Sequence, residues 1–298
     1  MPQRKTEELH ASAPGLDAHP VEEIGAILLS GQIDALRAVS SATSDIARAG
    51  QMMAKAVRAG RQLVYAAAGS SGLMAMADAC ELAGTFGLPP ERTRILMAGG
   101  IPTSAAMPGD TEDDTQEAEK AADVIHAGDA VILLSASGRT PYALTIAGIA
   151  RDRGAHVICL ANNPDTPLLD LADVAICLPT PPEVISGSTR MGAGTAQKAA
   201  LNMMSTIMGV ALGHVHDGMM VNLHADNDKL RDRAARMVAD IASVPHERAE
   251  TALATAEGRV KPAVLLAMGA PNLTLAEDLL TKADGRLRAA IAALHSHA

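Results

Sequence analysis

Three short segments rich in glycine and hydroxyl groups hold the residues best suited to binding an anion. They read GSSG at residues 69–72, SASGRTP at 135–141 and SGSTR at 186–190. Glycine lets the backbone approach a ligand closely, and a helix that follows such a loop offers unpaired N–H groups at its positive end. One segment alone is more typical of a helix cap or a turn. Two of them after equivalent strands favour a small phosphorylated ligand.

The third segment adds positive charge to this set. Arg190 would give an anion a charged partner, although an ion pair within the protein explains it almost as well. Lys198, on the helix predicted to follow, can share one helix face with Asn202. The first two segments match no Walker A loop, and the first also lacks the GxGxxG register of a dinucleotide site. The candidate binding residues are Ser70, Ser71, Gly72, Ser135, Ser137, Gly138, Arg139, Thr140, Ser186, Ser188, Arg190 and Lys198.

Carboxylates that could transfer protons occur at two places. Residues 110–119 read DTEDDTQEAE, and most of these acids suit the solvated start of a helix, although crowding can raise a carboxyl pKa and favour acid–base chemistry. Glu81 stands on an otherwise apolar helix after the first loop, where a solvent-facing role is equally compatible with the pattern. The histidines at 214, 216 and 224 lack metal-binding spacing, so we expect no metal site.

Short apolar runs that alternate with helix-length segments must position these residues. Each run is continuous, as in strands buried on both faces of a parallel sheet. The runs cover residues 61–69, 93–100, 129–138, 155–163 and 173–181. The helical segments between and after them cover residues 72–86, 111–127, 141–153 and 195–213. This rhythm predicts an α/β three-layer sandwich with a five-stranded parallel sheet, whose ligands bind beyond the carboxyl ends of the strands.

The chain is predicted to have three regions. Residues 1–55 form an N-terminal arm and helices, residues 56–228 form the α/β domain, and residues 229–298 form a small alanine-rich helical appendage. Breaks in the appendage are expected near Pro245, between Gly258 and Pro262, and near Asn272.

Composition excludes several classes of function. The 298 residues carry a net charge of −9 and only 1% aromatic residues, which argues against nucleic-acid binding and against an anionic membrane surface. Signal-peptide and membrane-spanning patterns are missing from the sequence, so a cytoplasmic protein is expected. The three cysteines lack CxxC spacing and are expected to be buried, reduced thiols.

The motifs GSSG, SASGRTPY and SGSTRMGAGTAQKAALNMMST, followed by DNDKLRDRA at 226–234, resemble those of the N-acetylmuramic acid 6-phosphate etherases, in the sugar isomerase (SIS) superfamily. The resemblance runs from Thr6-Glu7 through the helical tail. It implies the SIS fold, a homodimer and a sugar-phosphate ligand, with neither a metal nor an organic cofactor. It also implies cleavage of the lactyl ether of N-acetylmuramic acid 6-phosphate, which gives N-acetylglucosamine 6-phosphate and D-lactate during recycling of cell-wall sugars.

The resemblance also assigns two catalytic glutamates. The family's Ala-Ser-Glu motif corresponds to Ala79-Cys80-Glu81, and its Glu-Asp-Ser motif to Glu112-Asp113-Asp114. Glu112 would remove the proton on the carbon next to the aldehyde of the open-chain sugar, and Glu81 would protonate the departing lactate. The reverse assignment of acid and base is equally compatible with the motifs. Water would then add to the unsaturated aldehyde.

Departures from the family pattern leave other functions open. Leu73 stands where the family has an arginine, and Leu82-Ala83-Gly84 replaces Cys-Pro-Pro. A related 3-O-substituted sugar phosphate is therefore an alternative substrate. An aldose–ketose isomerase would use the same phosphate loops without a leaving-group acid, and a regulatory sugar-phosphate sensor would bind without turnover.

Overall fold

The computed structural model describes residues 5–107, 109–223 and 228–297. The chain divides into two compact units. The first comprises Met1–Cys80 and Glu91–Ile207, and the second comprises Glu81–Pro90 and Met208–Ala298. The domain boundaries after residues 55 and 228 remain predictions from the sequence.

A five-stranded parallel sheet forms the centre of the first unit, as predicted. Its strands are β1 (Leu63–Ala67), β2 (Thr93–Met97), β3 (Ala130–Ser135), β4 (His156–Ala161) and β5 (Val174–Cys177). Their order is β2-β1-β3-β4-β5. The inner strands β1 and β3 are buried at every position, which explains their continuous apolar sequences. The two edge strands are only partly buried.

Helices cover both faces of this sheet and give the three layers expected from the sequence. They are α1 (Val21–Ala38), α2 (Thr43–Arg58), α3 (Gly69–Phe86), α4 (Thr115–Ala121), α5 (Pro141–Asp152), α6 (Pro167–Asp170) and α7 (Gly192–Ala211). Side chains of α4, α5 and α6 pack on one face, against Val64, Val131 and Val157. Helix α2 contacts β1, β3 and β5, and α3 and α7 meet Tyr65 on that opposite face through Asp78.

Asp78 joins three elements of the first unit. Its buried carboxylate accepts hydrogen bonds from the Tyr65 hydroxyl at 2.9 Å, from Asn202 Nδ2 at 2.8 Å and from Ser205 Oγ at 2.9 Å. Burial, and then the charge of Asp78, raise the pKa of Tyr65 well above its usual value. Because β1, α3 and α7 share this carboxylate, the two helices have a fixed register against the strand.

Two local predictions are corrected. Helix α3 begins at Gly69, so GSSG forms the first turn of the helix rather than a loop before it. The helix expected over residues 111–127 is limited to Thr115–Ala121 and a 3-10 turn at Ala122–Val124. The carboxylate of Asp114 accepts a hydrogen bond from Glu117 N and caps α4, which leaves residues 110–113 outside the helix.

The second unit contains a hairpin that the sequence did not suggest and the expected helices. The hairpin strands are β6 (Val215–His216) and β7 (Met219–Met220), and both turn residues, Asp217 and Gly218, have positive φ. The helices are α8 (Asp228–Ala242), α9 (His246–Thr255), α10 (Val260–Ala267), α11 (Leu273–Lys282) and α12 (Leu287–His297). The breaks expected near Pro245 and Asn272 fall between helices. The third lies at residues 256–259, and Pro262 belongs to the first turn of α10. Leucine, valine and alanine side chains form the core.

The cysteine expectation is only partly correct. Cys159 is buried, Cys177 is half-buried and Cys80 is exposed. Cys80 is exposed because it lies on a different face of α3 from its buried neighbours Ala79 and Leu82. Across the described residues, the helices are all too short or too polar to cross a membrane.

Candidate active site

A polar cavity lies at the carboxyl edge of the sheet, where the chain turns in opposite directions. From β1 the next strand is added on one side as β2, whereas β3 lies on the other side. The connections that follow β1 and β3 diverge there, which is the usual ligand position in such sheets. The cavity has a volume of about 250 Å³. It is lined by Thr6, Glu7, Ala68, Ser70, Ser71, Glu112, Leu134, Ser135, Ala136, Ser137, Thr140, Gly187 and Thr189.

The connection from β3 to α5 gives the cavity a cluster of hydroxyl groups. Ser135 Oγ lies 2.8 Å from Thr140 Oγ1 and 3.3 Å from Ser137 Oγ. Ser135 Oγ also accepts a hydrogen bond from Gly138 N at 3.0 Å. Gly138 has a φ of +66°, and a Cβ there would overlap the buried Thr166 side chain. The loop therefore needs glycine at this position, which lies behind the hydroxyl groups rather than in the cavity lining.

Glu112 enters the cavity because α5 holds its backbone. Tyr142 N donates to the carbonyl oxygen of Glu112 at 3.0 Å, in the first turn of α5. The Glu112 carboxylate lies over the start of α3, where its Oε1 is 2.9 Å from the point that a Cβ on Gly69 would occupy. Two other acids of the 110–119 run have structural contacts, since Asp114 caps α4 and Glu117 accepts from Gly99 N at 2.9 Å.

The first turn of α3 forms the neighbouring wall. Ser70 and Ser71 line the cavity, whereas Gly72 is buried and packs against the Met97 side chain. Gly69 has a φ of +53°, which brings the chain round from β1 into the helix. Ser70 and Ser71 thus line the same cavity as the hydroxyl groups after β3, as expected, although they belong to the helix itself.

The N-terminal arm supplies two cavity residues that the sequence reasoning did not assign to the site. Thr6 is 2% exposed, and its Oγ1 accepts a hydrogen bond from Asn163 Nδ2 at 3.2 Å. Asn163 Nδ2 also donates to the Ala136 carbonyl oxygen at 2.9 Å, so it joins the arm to the loop after β3. Glu7 then brings a second carboxylate to the lining. The one sequence signal for this position was that the family resemblance begins at Thr6-Glu7.

The segment before α7 lines the cavity, but with residues other than the predicted Ser186, Ser188 and Arg190. Gly187 and Thr189 line the cavity, whereas Ser186 and Arg190 are exposed and Ser188 is half-buried. The start of α7 is occupied by the buried Glu183, whose carboxylate accepts from Gly192 N at 2.9 Å and from Ala193 N at 2.8 Å. The N–H groups of Gly192 and Ala193 at the start of this helix are therefore already hydrogen-bonded within the protein.

The positive side chains that were predicted to bind an anion lie outside the cavity lining. Arg139, Arg190 and Lys198 have exposed side chains and are not part of the cavity lining. Within the described part of the chain, the formal charges that line the cavity are the two carboxylates Glu7 and Glu112. Hydroxyl and amide groups, rather than lysine or arginine, are thus the donors that this cavity offers to an anion.

Glu81 is separated from the cavity along the chain. It is exposed, lies twelve residues after Gly69 on α3 and belongs to the second unit, whereas the cavity lining belongs to the first. Twelve residues of α-helix correspond to about 18 Å along the helix axis. Of the histidines, His224 lies outside the described residues. His214 and His216 belong to the second unit, and in the chain as described no group of three or more histidine, cysteine or acidic side chains could hold a metal ion.

Known proteins share this domain and most of this chain. The SIS domain family model matches residues 32–162. A curated N-acetylmuramic acid 6-phosphate etherase of Deinococcus radiodurans is 40% identical over 265 residues, which cover 88% of this chain and 87% of the relative. One of Streptomyces avermitilis is 38% identical over 291 residues, or 97% and 93% of the two chains. A solved phosphoheptose isomerase of Francisella tularensis covers 64% of this chain and 97% of its own, at 19% identity and a TM-score of 0.45.

The sheet order, the flanking helices and the matched domain define a SIS-domain protein with an added helical unit. The level of identity across nearly the whole length is more specific than the domain alone. The chain belongs to the N-acetylmuramic acid 6-phosphate etherase family. The resemblance drawn from its motifs is confirmed.

Proposed function

We propose that the protein is a carbon–oxygen lyase that cleaves the D-lactyl ether of N-acetylmuramic acid 6-phosphate. The products are N-acetylglucosamine 6-phosphate and D-lactate. The observation that carries this proposal is the position of the Glu112 carboxylate in the same cavity as the hydroxyl groups after β3, in a chain of the etherase family. We further propose a cytoplasmic protein that serves the reuse of cell-wall sugars.

The phosphate binds among neutral donors in this proposal. Ser135, Ser137 and Thr140 form its cradle, and Ser70 and Ser71 close the opposite wall. The negative charges of Glu7 and Glu112 exclude the dianion from their side of the cavity, so the sugar faces the carboxylates. Gly72 and Gly138 act by shaping the two walls. Ser186, Ser188, Arg139, Arg190 and Lys198 stay candidate ligands from the sequence, outside the observed lining.

The sugar reacts as its open-chain aldehyde. The aldehyde acidifies the proton on the neighbouring carbon, and Glu112 accepts that proton as the general base. The bond from the next carbon to the lactyl oxygen then breaks, and this oxygen takes the proton of Glu81. An unsaturated aldehyde remains, and water adds to its vacated carbon while the proton returns to the neighbouring carbon. The overall result is hydrolysis of the ether without a redox change.

Glu81 acts in the cavity of a second copy of the chain in this proposal, which requires a homodimer. The support is the length of α3, because a side chain about 18 Å along the helix axis from Gly69 is far from the residues around the helix start. Two inactive variants, Glu81→Gln and Glu112→Gln, should therefore complement each other. Mixed dimers formed by co-expression hold one intact site each, and about a quarter of wild-type activity should return. Activity that stays absent in verified mixed dimers would exclude the shared site.

The lyase proposal is tested by incubating the purified protein with N-acetylmuramic acid 6-phosphate and measuring lactate. Glu112→Gln should lower kcat by about a thousandfold or more, because it removes the base while keeping the shape of the side chain. Glu119→Gln, in an exposed residue of α4, is the matched control and should be as active as wild type. Well-folded protein that releases no lactate would refute the substrate assignment.

Aldose–ketose isomerisation is a second candidate, favoured by one observation. A cavity with a phosphate cradle and Glu112 already holds what proton transfer next to an aldehyde requires, and an isomerase needs no leaving-group acid. Glu81→Gln distinguishes the two reactions. The lyase loses activity with this variant, whereas an isomerase that acts on sugar 6-phosphates retains it. A regulatory sensor would bind these sugar phosphates without turning any of them over.

A further inference from the structure

A separate cavity of about 500 Å³ lies within the second unit, beside α10 and α11. Its volume falls in the range of small-molecule sites in proteins, which is about 300–1,000 Å³. Much of its wall is apolar and firmly packed, since Val221 and Val260 are each 1% exposed and Leu280 is 9% exposed. The cavity and all its lining residues belong to one unit, and none of them takes part in the proposed lyase chemistry.

Lys261 brings a buried positive charge to this cavity. Its side chain is 9% exposed, and its Nζ donates one hydrogen bond, to the Gly285 carbonyl oxygen at 3.0 Å. None of the carboxylates in the described ranges forms a salt bridge with it. Burial accordingly lowers the pKa of Lys261 to about 8. A buried charge in a protein is normally paired, whereas among the described residues this ammonium group bonds a neutral carbonyl oxygen at the cavity wall.

Arg259, also in the lining, does not play the same role. Its Nη1 pairs with Glu277 Oε1 at 2.6 Å, and both side chains are 45% exposed. The arginine charge is therefore balanced at the solvent edge of the cavity. Among the described residues of the lining, Lys261 is the cation without a carboxylate partner, and it lies next to apolar walls. Such a combination suits a ligand with one negative charge and an apolar body, and it does not suit a polyhydroxylated sugar.

We propose that this cavity binds a small organic carboxylate, with the carboxylate group on Lys261 Nζ and the apolar body against Val221, Val260 and Leu280. Binding places a negative charge beside the ammonium group and fills the apolar space at the same time. The proposal concerns a second ligand site and does not depend on the lyase reaction.

Hexanoate and 1-hexanol are suitable probes, because they share one alkyl chain and differ in charge. Isothermal titration calorimetry of the full-length protein at pH 8 should show hexanoate binding at least tenfold more tightly than hexanol. An anion next to Lys261 raises the pKa of its ammonium group, so binding should take up about half a proton. This uptake appears as a dependence of the measured heat on the ionisation enthalpy of the buffer.

Substitution locates the binding. Lys261→Met keeps most of the side-chain length and removes the charge, so it should weaken hexanoate binding at least tenfold and leave hexanol binding unchanged. Lys282→Met is the control, because Lys282 is exposed on α11 and pairs with Asp278. Equal affinity for the two probes, absence of proton uptake, or undiminished hexanoate binding by Lys261→Met would each overturn the proposal. The first two results come from the wild-type protein, so they hold even if the variant folds poorly.

Discussion

A methyl group added at Gly69 tests whether Glu112 acts from its observed position. The Cβ of Gly69→Ala would lie 2.9 Å from Glu112 Oε1, whereas ordinary contacts begin at 3.4 Å. The carboxylate must therefore retreat by at least about 0.5 Å. The backbone adds a smaller effect, because alanine at a φ of +53° costs about 1 kcal/mol relative to glycine.

The expected loss of activity follows from this displacement. A misplacement of about 1 Å at a reacting group can cost about 100-fold in rate, so about 0.5 Å corresponds to roughly tenfold in kcat. The hydroxyl groups of Ser135, Ser137 and Thr140 are not touched, so KM for the sugar phosphate should change little. Lactate release at saturating substrate measures kcat, and thermal unfolding measures the accompanying loss of stability.

Gly84→Ala is the matched control on the same helix. A Cβ at Gly84 meets nothing within 4 Å, so this substitution should raise helix stability by up to about 1 kcal/mol and leave kcat unchanged. If folded Gly69→Ala protein keeps a kcat within about twofold of wild type, the reasoning fails. In that case the Glu112 carboxylate does not react from its place above the start of α3.

Three further outcomes are expected. Glu183→Ala removes two charge-assisted hydrogen bonds to the start of α7 and should lower the free energy of unfolding by at least about 2 kcal/mol in urea titrations, with Glu183→Gln less damaging. The pKa of Lys261 is about 8 in the folded protein, whereas its ordinary value in an unfolded chain is 10.5. Between pH 8 and 10.5 the unfolded chain therefore binds more protons than the folded protein. Lys261 should therefore contribute up to about 3 kcal/mol of stability that appears as the pH rises from 8 to 10.5, whereas the raised pKa values of Tyr65 and Cys159 act in the opposite direction. The contribution is measured as the difference in unfolding free energy between wild type and Lys261→Met, and a difference that does not change with pH would contradict the assignment. Exposed Cys80 should react first with a thiol reagent. Burial raises the pKa of Cys159 and keeps this thiol inert until the protein unfolds. A fast phase of reaction that survives in Cys80→Ser would contradict the predicted order.

The strands were predictable because burial on both faces leaves a direct trace in the sequence. Each of the five continuous apolar runs contains one strand, and the strands are shorter than the runs because apolar residues continue into the adjoining turns. The meeting of the GSSG and SASGRTP segments was also predictable, since carboxyl ends of parallel strands share one edge. The β6–β7 hairpin was not, because strands of two residues have no measurable periodicity.

The cavity was harder to predict where long-range contacts decide which side chains enter it. Glu112 is selected from a run of acids by the hydrogen bond from Tyr142 N, thirty residues later. The exposure of Arg190 and the inward position of Thr189 follow from the turn before α7, which spacing alone does not fix. Lys198 and Asn202 can share one face of α7, yet the Asn202 side chain donates a hydrogen bond to Asp78 within the protein.

The hydrogen bond between Asn163 and Thr6 has a consequence for biosynthesis. The two residues are 157 positions apart, so Thr6 leaves the ribosome long before its partner has been made. At about 5–20 residues per second, the wait is on the order of ten to thirty seconds. Throughout this interval the N-terminal arm with Thr6 cannot form its hydrogen bond to Asn163. The residues of the arm are thus translated first but are among the last to dock. Because Gly187 and Thr189 also line the cavity, its full lining exists only after residue 189 has been translated.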